Sequence, residues 1–573
     1  LDKINLKVSE SYNSSFINSV EKSIRDENSF SLSSAYKIND KFKFGLSTHN
    51  NILSDSRKIE INSASISNVV LFSELNPENK IYLTPFAGYM NNRQIGESDY
   101  GYLYGTEAAL NNFELSDFNV YSQLKFRNED ISPRKNELRY FDLQTFNNFS
   151  PGITNQFNAQ YSLNRKDFYF QADSLTAKSF NIINNIQSRI ESNYLIQDTL
   201  QHSNFLNAFA LDLVGRISLR NIDRDTRYRL TRSVNSSIFD TKISELKLEF
   251  ESLASYYSSF FNGSIKLLFS QRDEQNITKR FDGVSDVFFE ERSRLESSKN
   301  NNSTRALLSF WGNMNISKTD KFYFSFFQNK LKYDTPSEEN FDDRDEILSI
   351  LRLRYSKLLT SFFEAFINIE GTVNHTVYLF AEKSSNNNIN RILKLSSGGN
   401  YLGKNFVSFN SFEVAANYTV YDFEDLNPNF RSYSFRQFTA IDSSTIKFTR
   451  KFFLNFYGYV KLSEQGNLRW KSFSTRPNRF LQEIYSEPKF GIQINEVLFY
   501  VGARYFSINT YNYNLKTKIL DSEYMSMGPV AQINFVLRDS LYFKFYGWYE
   551  FIQAANNLRR EQANFNLEMN YDF

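Results

Sequence analysis

Side chains of alternating polarity run along nearly the whole of this chain, and that period of two constrains its fold more than any other feature. Residues 563–573 put Phe565, Leu567, Met569, Tyr571 and Phe573 on one face and Asn566, Glu568, Asn570 and Asp572 on the other. Residues 541–551 line Leu541, Phe543, Phe545, Gly547, Tyr549 and Phe551 along one face, and Leu211, Leu213, Ile217 and Leu219 stand opposite Asp212, Arg216 and Arg220. Successive strand side chains point to opposite faces, so each such segment reads as a strand with one apolar and one polar face. Helical periodicity is scarce.

A soluble sandwich also alternates, and the rhythm of the turns separates the alternatives. Short breaks fall at 39–40, 76–79, 111–112, 150–152, 317–320, 403–405, 449–451, 495–496 and 538–540, spaced roughly 35–45 residues apart where the pattern is clear. One longer polar stretch lies between each pair: 50–58, 91–99, 128–136, 333–346, 383–390, 462–479 and 553–562. Each period is therefore a hairpin with a tight end and a loose end, the up-and-down plan of a membrane barrel. About thirteen hairpins are expected, hence one closed all-β antiparallel barrel of about 26 strands, within 24–28, spanning 1–573 as a single domain. Strands of roughly 12–16 residues would exceed the 9–11 needed to cross a bilayer and project beyond it on the loop side. The segment 271–302 is expected to be a long loop or an insertion into the lumen.

Composition agrees with this plan and excludes others. Lys and Arg total 66 against 64 for Asp and Glu, a net charge of +2 that gives no electrostatic case for nucleic acid. Mean hydropathy is −0.49 and no run of about 18 apolar residues exists, which excludes transmembrane helices but not strands. Aromatic residues reach 17%, and cysteine is absent, which removes disulfides, thiol nucleophiles and cysteinyl metal sites. No signal peptide is visible at the start of this numbering.

The alternating terminal strand, with Phe565, Leu567, Met569, Tyr571 and a final Phe573, resembles the last strand of bacterial outer-membrane β-barrel proteins. The resemblance is architectural, covers almost the whole chain and names no subfamily. It implies residence in outer-membrane lipid and recognition of that strand by the barrel-assembly machinery, with short turns periplasmic and long loops extracellular. TonB-dependent transporters carry a plug before the barrel; alternation here begins at Ile4, Leu6 and Val8, so no plug is expected. Lipopolysaccharide-assembly barrels have a similar strand number but also an N-terminal periplasmic domain and cysteines.

Candidate sites are few. His49, His202 and His375 lie far apart, and no GxSxG, HExxH or Walker A pattern appears, so no enzyme and no cofactor are expected. Asp342, Asp343, Asp345 and Glu346, after Glu338 and Glu339, offer the oxygen ligands Ca²⁺ takes but lack the spacing of an EF-hand loop; a solvated outer loop is the plainer reading. A run of arginines from Arg216 to Arg232, with Arg216 and Arg220 on one polar face, and Arg352 with Arg354 elsewhere, form a candidate basic stripe in the lumen. Salt bridges with neighbouring strands are the plainer reading of these arginines. Trp311, Tyr505, Phe506, Trp548 and Tyr549 read as girdle residues at the membrane interfaces or as carbohydrate-stacking platforms.

Two functions from different classes fit: a conduit for a bulky solute or polymer, and a scaffold barrel anchoring partners in an envelope complex. A soluble all-β surface protein is a third. Because barrel diameter grows with strand number, a lumen this wide should be filled, by 271–302 or by a plug or envelope-complex partner. Charges of both signs predict no sharp ion selectivity.

Overall fold

The computed structural model describes residues 3–572 except 20–21, 57–61, 79, 173, 175–176, 179–180, 228–239, 281–284, 426–430, 516, 538–539 and 555–557. Phe573, the end of the arginine run and parts of several expected breaks therefore lie outside the described residues. Each strand pairs antiparallel with the next, and the first, β1 (Ile4–Asn18), also pairs with the last, β26 (Leu558–Asp572). The 26-stranded sheet closes on itself. Closure leaves no row of unpaired backbone groups, the condition a sheet must meet in lipid. Lys7 and Asp572 form an ion pair of 2.8 Å across the seam, Ser9 Oγ donates to Asn570 Oδ1 at 2.6 Å, and the rings of Tyr12 and Phe565 meet edge-on at 5.6 Å.

The wall begins with β2 (Lys22–Asn39), β3 (Phe42–Asp55), β4 (Asn62–Glu78), β5 (Ile81–Gln94) and β6 (Glu97–Leu115). It continues through β7 (Phe118–Ile131), β8 (Arg134–Ser150), β9 (Ile153–Gln171), β10 (Asn184–His202), β11 (Phe209–Arg227) and β12 (Thr241–Tyr257). Then come β13 (Phe261–Thr278), a short helix α1 (Asp286–Ser297), β14 (Asn301–Asn315), β15 (Asp320–Asp334) and β16 (Arg344–Thr360). After β17 (Phe363–Tyr378), β18 (Asn388–Leu402) and β19 (Phe406–Tyr421), the circle is completed by β20 (Tyr433–Lys447), β21 (Phe452–Arg469), β22 (Ser474–Ile494), β23 (Val497–Asn514), β24 (Thr517–Leu537) and β25 (Leu541–Ala554).

The two ends of the barrel differ, though not quite as the sequence pattern suggests. The fully described connections from an even to an odd strand have two to six residues. At the opposite end those between β9 and β20 have nine or more by number, whereas β5–β6 and β7–β8 turn over two residues and β21–β22 over four. The expected loop 91–99 is a two-residue turn, with Ile95 at φ 50° and Gly96 at φ 78°, flanked by ladder pairs such as Asn92 with Asp99 and Arg93 with Ser98. These positive φ values suit the tight hairpin turn that matches strand twist. The expected loop 128–136 turns at Ser132 and Pro133, and 462–479 is strand up to Arg469 and again from Ser474. The expected break at 111–112 is a bulge: register slips between Leu110 and Phe113, and β6 continues to Leu115. Strands reach 21 residues in β22 and β24, longer than expected. The reason is common to all these corrections. Beyond the membrane both faces of a strand meet water, so a hydrogen-bonded ladder there carries the polar composition of a loop.

Buried apolar residues are scattered around the wall, and some of them pack together. Val70, Met90, Leu103 and Ile131, with Phe86 beside them, form a cluster on β4 to β7. Next to it the tip of the β5–β6 hairpin reaches past the β7–β8 turn to β9 and β10. Arg134 Nε donates to Asp99 Oδ2 at 2.5 Å, and its other nitrogens donate to Gln94 Oε1 at 3.0 Å and to the Asn92 carbonyl at 2.8 Å. Tyr169 donates its hydroxyl to Asp99 Oδ1 at 3.1 Å, and its ring lies 4.8 Å from the Arg134 guanidinium. Asn184 Nδ2 donates to Glu97 Oε1 at 3.1 Å. Arg134 and Asp99 are each 3% exposed, so this ion pair is fully enclosed.

Candidate functional site

The faces of the wall sort by chemistry. On β13 one face shows Ile265, Leu267 and Phe269, about half exposed, and then Gln271, Asp273 and Gln275. The partner residues continue the apolar face around the ring: Phe310, Leu308 and Ala306 on β14, Phe326 on β15, Leu351 on β16, Gly371 on β17, Leu393 on β18 and Ala416 on β19. A necklace of rings borders this band near the short turns: Phe209 to Tyr256 at 4.9 Å, Tyr256 to Phe261 at 6.0 Å, Phe261 to Phe324 at 6.1 Å, and Phe310 to Phe324 at 5.0 Å. From Phe261 to Phe269 the apolar stretch is roughly 20–25 Å tall for a tilted strand, close to the apolar band of an outer-membrane barrel. Apolar side chains left exposed all round a closed ring need lipid. This is a transmembrane β-barrel.

The opposite, lumenal face is polar and mostly charge-paired. Arg216 bonds Glu249 at 2.8 Å and Glu251 at 3.2 Å, and Arg220 bonds Glu191 at 2.8 Å. Lys247 and Lys266 join the same carboxylates at 2.6 and 2.8 Å. On β22 to β25 a denser group surrounds Glu487, which accepts from Tyr485 at 2.5 Å and Tyr546 at 3.2 Å and pairs with Lys489 at 2.8 Å and Arg504 at 3.3 Å. The Arg504 guanidinium sits 4.5 Å from the Trp548 ring. Trp548 and Phe506 thus belong to the lumenal face, whereas Tyr505 and Tyr549 stand on the lipid side with Met527 and Phe551.

One stretch of lumenal wall is different. A cavity of about 950 Å³ lies over β13 to β19, lined by Ser264, Trp311, Tyr323, Arg352, Arg354 and Asn368 among others. Ladder pairing aligns these side chains: Trp311 is opposite Ser264 and Ser325, Tyr323 opposite Arg354, and Arg354 opposite Asn368. Arg352 is bonded to Glu370 at 2.7 Å, which also holds Lys394 at 3.3 Å. Arg354 has no ion pair among the described residues; its guanidinium rests 4.6 Å from the Phe366 ring. Glu364 and Glu413 line the same cavity, again without an ion pair among the described residues. The side-chain oxygens of Asn313 and Asn368 are enclosed without a hydrogen-bond partner. Trp311 lies on the lumenal face, not in the lipid girdle. The signal was in the sequence, because Ser309, Trp311 and Asn313 alternate with Leu308, Phe310 and Gly312, but parity alone does not say which face is inside.

The other candidates go to separate partners. Asp343 accepts from the Thr335 backbone N–H at 2.7 Å, Asp342 pairs with Lys383 at 3.2 Å, Glu346 pairs with Arg344 at 2.6 Å, and Asp345 is ladder-paired with Lys332. No group of three or more candidate metal ligands exists among the described residues. His49 lies within β3, the His202 ring meets Phe205 edge-on at 5.5 Å, and His375 Nε2 is 3.9 Å from Asp422. Within 271–302, residues up to Thr278 are β13 and those from Asn301 are β14, so only 279–300 connects. Ser285 caps α1 by accepting from the Phe288 N–H, and Arg292 Nη2 donates to the Asp240 carbonyl at 3.2 Å. Burial pushes the Arg292 guanidinium below its usual range, against the pull of Glu296 and Asp240. Arg294 reaches Glu339 at 2.9 Å and Asn340 donates to the Ser298 carbonyl at 2.7 Å, so α1 is tied to the neighbouring loops of the rim.

No family model and no curated protein matches the chain. Solved structures match it over nearly its full length at low identity. The FrpB iron transporter from Neisseria meningitidis (F5-1 variant) is 8% identical with a TM-score of 0.47, over 100% of this chain and 82% of that one. The ferric citrate transporter FecA in its unliganded form is 9% identical with a TM-score of 0.45, over 99% and 78%. The copper transporter OprC is 8% identical with a TM-score of 0.44, over 99% and 81%. No residue role or cargo carries over from them at this level of likeness.

Proposed function

We propose that this barrel is an outer-membrane conduit, with its short turns on the periplasmic side and its long connections outside the cell. The observation that carries the reading is the division of faces: an apolar exterior around a closed ring, and a largely polar interior. A ring of 26 strands is on the order of 45–50 Å across between backbones, wide enough for a bulky solute or a polymer. Such a width would leak unless narrowed. The long connections from β9 to β20 sit together on one side of the outer rim, and the helix-bearing segment 279–300 is the longest of them. We assign these connections, together with any envelope partner seated in the lumen, the role of gate. Interspersed lumenal charges of both signs favour weak ion selectivity.

Conductance in a planar bilayer tests this. The intact barrel should show small, weakly selective conductance, which rises when 279–300 is replaced by a short turn. The replacement spares the strand residues 271–278 and 301–302. Small conductance in both forms, with no chain found inside the barrel, would favour the scaffold. A large, permanently open conductance from the intact chain would remove the gate.

A further inference from the structure

Many lumenal charges are paired; several that line the cavity over β13 to β19 are not, as Asp212 on β11 is not, but among the described residues only the cavity sets such groups beside open aromatic rings. Arg354 offers only donors and has no carboxylate in reach among the described residues, while Glu364 and Glu413 offer only acceptors and likewise have no cation in reach. Beside them Trp311 and Tyr323 each leave more than a third of their surface open to the lumen. Arg354, Glu364 and Glu413 are part-exposed and uncommitted, and a concave site with exposed rings and a few free polar groups is what a polar small-molecule ligand fits. An anion would satisfy Arg354 but repel both glutamates, and a cation would do the reverse. A sugar hydroxyl both donates and accepts, so a neutral polyol can satisfy the arginine and the glutamates together. The C–H face of a sugar ring is apolar and suits the broad surfaces of Trp311 and Tyr323. The volume, about 950 Å³, is at the upper end of roughly 300–1,000 Å³ for small-molecule sites and has room for several sugar units.

We infer that this stretch of lumenal wall binds a neutral oligosaccharide, with Trp311 and Tyr323 as the platform and Arg354, Glu364 and Glu413 as the hydroxyl partners. The inference rests on the conduit reading, since it supplies that conduit with a class of cargo.

The test uses the full-length barrel in a detergent without a sugar headgroup. Maltohexaose, cellohexaose, chitohexaose and mannohexaose are titrated by calorimetry and by tryptophan fluorescence, with hexagalacturonate as the acidic counterpart. At least one neutral hexasaccharide should bind saturably, and Trp311→Ala or Arg354→Ala should weaken it by about tenfold or more. Trp311→Phe and Arg354→Lys should lose less, and Arg216→Gln, distant in the wall, should change nothing. Heat-shifted gel mobility confirms that each variant is folded; the conservative pair carries the test if the alanine variants are not. Binding by none of the neutral sugars, equal binding after both substitutions, or tighter binding of hexagalacturonate would overturn the inference. Conductance of the sugar-free barrel is scored separately. A conducting barrel that ignores sugar overturns the cargo alone, and a non-conducting barrel that binds it overturns the conduit.

Discussion

The rim at β5 to β10 and the wall at β13 to β19 are built from the same residue types to opposite effect. At the rim, Arg134 is fully enclosed and each end of its guanidinium is bonded, to Asp99, Gln94 and Asn92, while Tyr169 closes over it. On the wall, Arg354 faces the cavity with only the Phe366 ring beneath it, and Trp311 and Tyr323 are open. The lesson is that a buried charge is tolerated only when its bonds are complete, so the rim is a tie and has nothing left to offer a ligand. The wall keeps its polar groups unspent.

The largest expected difference comes from removing the two arginines. Arg134→Met leaves Asp99 enclosed and uncompensated and should destabilise the barrel by about 3–5 kcal/mol, read from the midpoint of heat-modifiable gel mobility or from urea unfolding in detergent. Restoring balance in the double variant Asp99→Leu/Arg134→Met should recover most of that loss. Arg354→Met should cost no more than about 1 kcal/mol, the value of an exposed ring–cation contact. Equal losses at the two arginines would abolish the contrast.

A second comparison uses glycines. A Cβ on Gly101 would stand 1.8 Å from the Asp130 carbonyl oxygen, whereas one on Gly371 would meet nothing within 4 Å. Gly101→Ala should therefore destabilise by about 1–3 kcal/mol through forced backbone shifts. Gly371→Ala should be neutral or stabilising by up to about 1 kcal/mol, because alanine has less freedom to lose. The same unfolding assay checks both, and equal effects would argue that rim and wall are packed alike.

The smallest effect is a single hydroxyl. Tyr169→Phe removes one donor from Asp99 and keeps the ring over Arg134, and should cost about 1–2 kcal/mol. Loss of as much stability as Arg134→Met would show that the tyrosine, and not the ion pair, holds the β5–β6 tip to β9.

Alternation with turn residues at a steady interval was enough for the fold class and for a count near 26, because a strand's period of two and a hairpin's turn are local properties of the chain. The same local reading failed at 91–99 and 128–136, where polar residues on both faces imitate a loop while the ladder continues to Ile95–Gly96 and Ser132–Pro133. Segments such as 333–346 and 383–390 were read as connections, and connections lie there, at 335–343 and 379–387.

What the sequence by itself determined is which side chains share a face: Arg216 with Arg220, Arg352 with Arg354, and Phe565 with Leu567, Met569 and Tyr571. Only the closed sheet decided which face looks inward, and so moved Trp311 and Trp548 from an expected girdle to the lumen. Only register decided which charges meet. Asp99 and Arg134 lie on strands that are not neighbours, as do Asp99 and Tyr169, and Arg354 is left over because the strands beside it place Tyr323 and Asn368 opposite. Polarity along one strand is set by that strand's own residues, whereas partnership across strands depends on how far each hairpin extends, and no single segment carries that information.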